Sequence, residues 1–149
     1  MAKKKDVAKS AKQRSTGQTE SAPEVIVDFV FDDGLLFVAI ENIGQKPALK
    51  VAVRFDKKIS GLGGSCEISA LPLFRNIEFM APGKQIVTLL DSSASYFGRN
   101  EPTKIAARIS YRDSEGKEFE STIQHDLEIY KEISYIPKRE VNKTLPPSG

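Results

Sequence analysis

Hydrophobic and polar positions alternate along several segments of the chain from Val25 onward, and this pattern predicts β-strands. In residues 49–56 and 104–111 apolar side chains recur at every second position, which is typical of strands with one buried face. Residues 35–41 are apolar on both faces, which predicts a strand in the middle of a packed sheet. The remaining predicted strands are residues 25–31, 66–69, 85–90 and 117–130.

Turn-forming residues separate these segments. Asp32-Asp33-Gly34 predicts a tight hairpin, and turns are also predicted at residues 81–84 and 113–116. Residues 71–80 carry apolar anchors without a clear period, and they predict an irregular crossing between strands. Since no amphipathic pattern of ten or more residues is present, the predicted architecture contains no long helix.

About seven strands joined by turns predict an all-β fold, an antiparallel immunoglobulin-like β-sandwich. A partly open barrel has the same pattern and is the second alternative. The predicted core of the sandwich consists of Ile26, Leu36, Val38, Ile40, Val51, Val53, Phe55, Ile86, Ile105, Ile109, Phe119 and Ile123.

Charge divides the chain into three parts. Residues 1–23 carry six basic and two acidic side chains and few core formers, which predicts a disordered basic leader. The sandwich is predicted over residues 24–136, and residues 137–149 are predicted to form a flexible C-terminal tail. The net charge of +2 therefore hides a charge of −4 on residues 24–130, which argues against a nucleic-acid binder built on the folded body.

Several protein classes are excluded by simple counts. Cys66 is the single cysteine and His125 the single histidine, so the chain has neither an internal disulfide nor the four ligands of a Cys/His zinc site. No run approaches the roughly 20 apolar residues of a membrane helix, and no apolar region follows the N-terminal lysines. We therefore expect a cytoplasmic protein without a membrane span.

Three turn motifs carry a resemblance to a known group. Asn42-Ile43-Gly44, followed by Ala48, Val51 and Val53, resembles the hallmark "N-x-G-x-x-x-A-x-x-V-x-V" of bacterial and archaeal immunoglobulin-like domains, the CARDB-like group. Ala81-Pro82-Gly83 resembles the turn "aPGe" of that group, and Tyr111-x-Asp113 with Gly116 resembles its late hairpin. The resemblance implies an immunoglobulin-like fold, many of whose members are uncharacterised bacterial proteins, and it implies no catalytic residues.

The candidate chemical sites each have a simpler explanation. Ser60 to Ser65 is rich in glycine but lacks the lysine of a phosphate-binding loop, so a hairpin loop is predicted. Cys66 and His125 are the one conceivable nucleophile and base, but no motif flanks either residue. The acidic residues of the turns, which include candidate Ca²⁺ ligands, are predicted to be turn formers: Asp32, Asp33, Asp113 and Glu115.

Two groups of residues are candidate contact sites. Aromatic residues in the irregular segments either plug the open ends of the sandwich or form a contact patch for a partner: Phe74, Phe79, Tyr96 and Phe97. The basic residues of the leader are candidates for binding a polyanion: Lys3, Lys4, Lys5, Lys9, Lys12 and Arg14.

The sequence therefore predicts a non-enzymatic protein-interaction or structural module, which presents loops or an edge strand to another protein. The alternative is a nucleic-acid- or polyanion-associated protein that acts through its basic leader. A less favoured hypothesis is an enzyme that depends on Cys66 and His125. No cofactor and no metal ion is expected, and the oligomeric state is left open.

Overall fold

The computed structural model describes residues 21–133 of the 149-residue chain. The described part contains nine strands, three short helices and two 3-10 turns, at Leu62–Gly64 and Ile68–Ala70. The strands are β1 Val25–Asp32, β2 Leu35–Asn42, β3 Ala48–Phe55, β4 Ser60–Gly61, β5 Cys66–Glu67, β6 Ile77–Met80, β7 Gln85–Ser92, β8 Lys104–Arg112 and β9 Glu118–Asp126. The helices are α1 Pro72–Arg75, α2 Ser93–Gly98 and α3 Glu128–Ile133.

The strands form antiparallel sheets, so the predicted all-β class is confirmed. One sheet has four strands in the order β9-β8-β3-β6, and the other has three in the order β1-β2-β7. A small third sheet pairs β4 with β5. Strand β2, whose two faces are apolar, is the central strand of its sheet, as its sequence predicts.

Buried side chains of both larger sheets form one hydrophobic cluster. Strand β8 contributes the alternate residues that its sequence predicts, ending with Ile109 and Tyr111. On β1 the buried residues are Val25, Val27 and Phe29, so the prediction that Ile26 belongs to the core is wrong. Residues 25–31 are apolar on both faces, and the pattern alone does not specify which face turns inward.

A β-bulge in β3 changes the face that its first residues present. The register with β8 shifts between Leu49 and Ala52, and Lys50 adopts a positive φ of 54° within the shift. As a result Ala48 is buried and Leu49 is only half-buried, in contrast to the simple alternation predicted for residues 49–56. An extra residue in one strand reverses the alternation on one side of the bulge, which explains the difference.

Three local elements differ from their predictions. Residues 77–80 form β6 rather than an irregular crossing, and residues 93–98 form α2, a short helix that the sequence pattern does not predict. The last strand ends at Asp126 instead of continuing to residue 130. Asp126 Oδ1 accepts a hydrogen bond of 3.0 Å from the backbone N–H of Glu128, which favours the start of α3.

The predicted hairpin turns are present. Asp33 and Gly34 have φ values of 52° and 80°, the signs that a two-residue type I′ turn requires between β1 and β2. Between β8 and β9, Asp113 Oδ1 accepts hydrogen bonds of 2.9 Å from the backbone N–H groups of Glu115 and Lys117. The acidic side chain of this turn therefore stabilises the turn itself.

The side chain of Asn42 joins the two larger sheets. It is fully buried at the end of β2, and its Oδ1 accepts hydrogen bonds from the backbone N–H groups of Glu24 (3.2 Å) and Gly44 (3.0 Å). Its Nδ2 donates to the backbone carbonyls of Lys46 (2.9 Å) and Met80 (3.0 Å). Met80 ends β6 of the other sheet, so one amide uses its four hydrogen-bonding positions to connect both sheets.

Backbone hydrogen bonds also fix the end of β2 to the turn between β6 and β7. The N–H of Asn42 donates to the carbonyl of Lys84, and the N–H of Gly83 donates to the carbonyl of Asn42. Gly44 packs so closely on the preceding segment that an added Cβ would lie 2.3 Å from the carbonyl oxygen of Ala22. The first two resemblance motifs, which are 37 residues apart when counted from Gly44 to Ala81, thus meet in space.

We predict that Asn42→Ala lowers the free energy of unfolding by about 3 kcal/mol, because four backbone groups lose a partner, one in a buried and three in part-buried hydrogen bonds. Urea denaturation of the full chain measures this change. The matched control is Asn76→Ala, since the amide of Asn76 is exposed and its one hydrogen bond among residues 21–133 is to Glu78. A loss for Asn42→Ala no larger than that of the control would contradict the prediction.

Candidate functional site

Two of the four aromatic contact candidates lie in the core. Phe74 in α1 is 1% exposed and packs edge-on against Phe55, and Tyr96 in α2 is fully buried. The hydroxyl of Tyr96 donates to the carbonyl of Pro102 (2.6 Å), and Phe97 is half-buried against the ring of Tyr96. Since buried side chains offer no surface to a partner, Phe74 and Tyr96 are no longer candidates for partner contact.

Phe79 is the exposed member of the set. Its side chain is 57% exposed on β6, opposite Leu49 of β3. A single exposed aromatic ring next to a half-buried leucine is a small patch, and single apolar residues at a surface are common. The four aromatic residues therefore do not form one contact patch. Phe74, Tyr96 and Phe97 pack in or against the core, and Phe79 lies at the surface.

Cys66 and His125 occupy different parts of the fold. Cys66 lies in β5 and packs partly against the core, whereas His125 lies in β9. The Nε2 of His125 is 2.9 Å from the carbonyl oxygen of Val27, and its ring stands edge-on to Phe29. Within residues 21–133 no hydrogen bond joins Cys66 to His125.

The glycine-rich loop is held by an ion pair. Residues 60–67 form the predicted hairpin, in which the N–H of Gly63 donates to Asp91 Oδ2 (3.1 Å). Arg99 donates to the same carboxylate oxygen at 2.7 Å, and its other terminal nitrogen donates to the carbonyl of Ser60 at 3.0 Å. A carboxylate thus already accepts one of the amide groups that a phosphate-binding loop would offer.

The pKa of Asp91 is lower than that of an ordinary aspartate. Burial by itself raises the pKa, but hydrogen bonds from Arg99, Gly63 and Ser92 stabilise the charged form more strongly. Arg99 also bonds Glu101 and Ser95, so α2, β7 and the glycine-rich loop share one guanidinium group. We interpret this ion pair as structural, because Arg99 and Asp91 connect α2, β7 and the glycine-rich loop.

We predict that Arg99→Met lowers the free energy of unfolding by about 2 kcal/mol at pH 7, because Asp91 keeps its burial and loses its cation. The lowered pKa of Asp91 stabilises the folded wild-type protein above about pH 4. This stabilisation is lost as the pH falls through the folded-state pKa of Asp91. The difference between wild type and variant should therefore shrink between about pH 6 and pH 3. Urea titrations at several pH values measure it, and a constant difference would argue against this role of Asp91.

Side chains of β9 and α3 seal one edge of the three-stranded sheet. At the outer edge of β1, His125 bonds the carbonyl of Val27, and the hydroxyl of Tyr130 donates to the carbonyl of Phe29 (2.8 Å). The ring of Tyr130 also stacks on Phe31. Because these edge carbonyls already have partners, β1 is a poor template for another strand.

Within residues 21–133, no other element pairs with the opposite edge, along β7. The carbonyls of Val27 and Phe29 point away from β2. Because the direction of backbone hydrogen bonding alternates along an antiparallel strand, the backbone N–H and C=O groups of the even-numbered residues of β2 point toward β7. Ile40 and Val38 then bond Ile86 and Thr88, which leaves the backbone groups of the odd-numbered residues of β7 at the free edge. Those residues are Gln85, Val87 and Leu89, and no hydrogen bond from another described element reaches their backbone.

The outer face of the same sheet has an apolar centre, and the acidic residues Asp28, Asp32 and Glu41 lie on the same face around it. Val30, Phe37 and Leu89 form one row across the three strands, and Ala39 and Val87 form part of the next. Val87 is 49% exposed and Leu89 is 38% exposed. We call this surface the outer apolar face and define it by Val30, Leu35, Phe37, Ala39, Val87 and Leu89; a depression of about 250 Å³ lies within it.

The sequence contains two signals for this site. Residues 85–90 form a strand without a charged side chain, whereas natural edge strands are commonly protected by charge. The apolar residues on both faces of residues 25–31 and 35–41 are the second signal. One face of each strand fills the core, and the other forms the outer apolar face.

Three further features to consider are a metal site, a membrane-spanning helix and the basic leader. Among residues 21–133 no group of three or more His, Cys, Asp or Glu side chains is placed to hold a metal ion. In the same part of the chain no helix is long and apolar enough to cross a membrane. The polyanion candidates Lys3, Lys4, Lys5, Lys9, Lys12 and Arg14 lie outside the described residues.

A protein-family model matches most of the chain. Residues 2–131 of the 149-residue chain match the model of a family described as a domain of unknown function, DUF8453. The chain belongs to this family. No curated protein and no solved structure matches it, so the DUF8453 fold and its surfaces carry the functional argument.

Proposed function

We propose that this DUF8453 chain is a non-enzymatic protein-interaction module, built as an immunoglobulin-like β-sandwich, that associates with a second copy of itself along β7. The strand orders β1-β2-β7 and β9-β8-β3-β6, with one core between the sheets, support the sandwich. The observation that carries the interaction is the open edge at Gln85, Val87 and Leu89. Exposed edges of this kind pair with strands of other chains.

The open edge is suited to pairing with itself. Gly61 packs against the carbonyl of Leu90, so close that an added Cβ would lie 2.0 Å from its oxygen, and this contact covers the end of β7. The accessible stretch is therefore residues 85–89, with Val87 at its midpoint. An antiparallel pair centred on Val87 places Gln85 opposite Leu89, and these residues have backbone groups free to bond.

Side chains favour the same arrangement. Residues directly opposite in an antiparallel pair share a face, so Val87 would contact Val87 of the second copy, flanked by Ala39 of each chain. No charged residue lies in the paired stretch, and like charges therefore do not oppose each other. The result is a continuous six-stranded sheet whose outer apolar face extends across both copies.

The remaining edges are protected against such pairing. β1 is sealed by His125 and Tyr130, and β6 has only four residues. Strand β9 carries the charged residues Glu118, Glu120 and Asp126. Short and charged edges are the usual means by which proteins prevent strand addition, so the exposure of β7 is selective.

We expect the full chain to form a dimer with a dissociation constant of about 100 µM or lower, and Val87→Pro to weaken it at least about tenfold. Proline removes the free N–H of Val87, and an edge position tolerates it because β2 does not use that N–H. The matched control is Val87→Thr, which keeps the N–H and the branched shape. Sedimentation equilibrium measures the association, and circular dichroism checks that each variant is folded.

Three results would overturn the proposal. A wild-type chain that stays monomeric up to about 1 mM contradicts self-association. Equal weakening by Val87→Pro and Val87→Thr shows that association depends on side-chain burial alone rather than on strand pairing. A peptide of residues 84–90 should compete with the dimer, and failure of an excess of this peptide to compete also contradicts pairing along β7.

A further inference from the structure

Two arginines face each other on the outer surface of the four-stranded sheet. Arg54 of β3 and Arg108 of β8 are direct partners in the register of these strands, so their side chains share a face. Like charges directly opposite each other destabilise a sheet. The stability of the sheet therefore does not explain why two arginines occupy these opposite positions.

Among residues 21–133, acidic side chains neutralise only one of the two arginines. Arg108 Nε lies 3.4 Å from Glu120, but both side chains are more than half exposed, and exposed pairs contribute little. Arg54 has neither an ion pair nor a side-chain hydrogen bond with any residue from 21 to 133. One of the two guanidinium groups therefore lacks a partner within the described part of the chain.

Further basic residues surround the arginine pair. Together they line an open cavity of about 810 Å³, whose floor includes Ala52 and Ser110. The basic lining residues are Arg54, Lys57, Lys58, Arg75 and Arg108. A cavity of this size suits a small molecule, for which pockets are typically about 300–1,000 Å³.

The acidic residues of the cavity neutralise only part of this charge. Asp56 accepts the backbone N–H of Ala106 at 2.9 Å and lies 3.9 Å from Lys57, and Glu120 is the partner of Arg108. Glu67 is the third acidic lining residue. Residues 21–133 as a whole carry 13 basic and 17 acidic side chains, so a cavity with five basic and three acidic residues is a local exception.

We propose that this cavity binds a small oxyanion with several negative charges, either a phosphate or a carboxylate compound. Guanidinium groups form paired hydrogen bonds with both kinds of oxyanion, and a bound anion removes the repulsion between Arg54 and Arg108. The negative charge on the rest of the body disfavours an extended polyanion, which would lie across that surface. The ligand is therefore a compact molecule held within the cavity.

Titration of the full chain tests the site, with tripolyphosphate and citrate as separate probes followed by NMR. We expect saturable shifts of the Arg54 and Arg108 side-chain Nε–H signals, and the stronger probe identifies the preferred oxyanion. Arg54→Gln and Arg108→Gln should each weaken binding by about tenfold or more, the effect of losing one charge-assisted pair. Shifts resolved by residue separate this site from the lysines of residues 1–23.

The matched control is Arg112→Gln. Arg112 lies on the same strand and face as Arg108 and pairs with Glu118 at 3.5 Å, but it does not line the cavity. Its replacement should change the affinity by less than about twofold, since only long-range charge is lost. Equal weakening by Arg112→Gln, or shifts that never saturate with either probe, would overturn the proposal. Tighter binding of duplex DNA than of either probe at Arg54 and Arg108 would overturn the small-molecule assignment.

Discussion

The buried amide of Asn42 determines how the two larger sheets are joined. Its side chain uses two donor and two acceptor positions, and its partners lie before β1, after β2 and at the end of β6. A buried amide is tolerated when every position is satisfied, and an amide with four partners tolerates few other arrangements of those segments. The close approach of Gly44 to Ala22 restricts the same region further, because any side chain at residue 44 would displace the segment before β1.

The two edges of the three-stranded sheet have different surroundings. β1 lies on the side of β9 and α3, where His125 and Tyr130 reach its free carbonyls. At the other edge, the chain crosses directly from β6 to β7, and β2 is the one described strand that pairs with residues 85–89. The two edges therefore differ in the elements that lie beside them.

Local chemistry made much of the fold predictable from the sequence. The alternation of residues 104–111, the Asp33-Gly34 turn and the central position of β2 follow from rules that involve neighbouring residues only. The misplacement of Ile26 and Leu49 has a different origin. The inward face of β1 is chosen by contacts with distant strands, and the bulge at Lys50 depends on its pairing with β8. The candidate site was less predictable, because the burial of Phe74 and the opposition of Arg54 and Arg108 arise only when distant segments pack.

The two proposed binding surfaces lie on opposite sides of the molecule. The inner faces of both sheets share one core, so the outer apolar face and the arginine cavity point in opposite directions. Pairing along β7 extends the three-stranded sheet and leaves β3, β8 and their cavity exposed on each copy. The charge of the chain follows the same separation, since β7 presents an uncharged edge while the cavity concentrates basic residues on an otherwise acidic body. The proposed association and the proposed anion binding therefore involve different residues, and a substitution at one of the two surfaces does not touch the other.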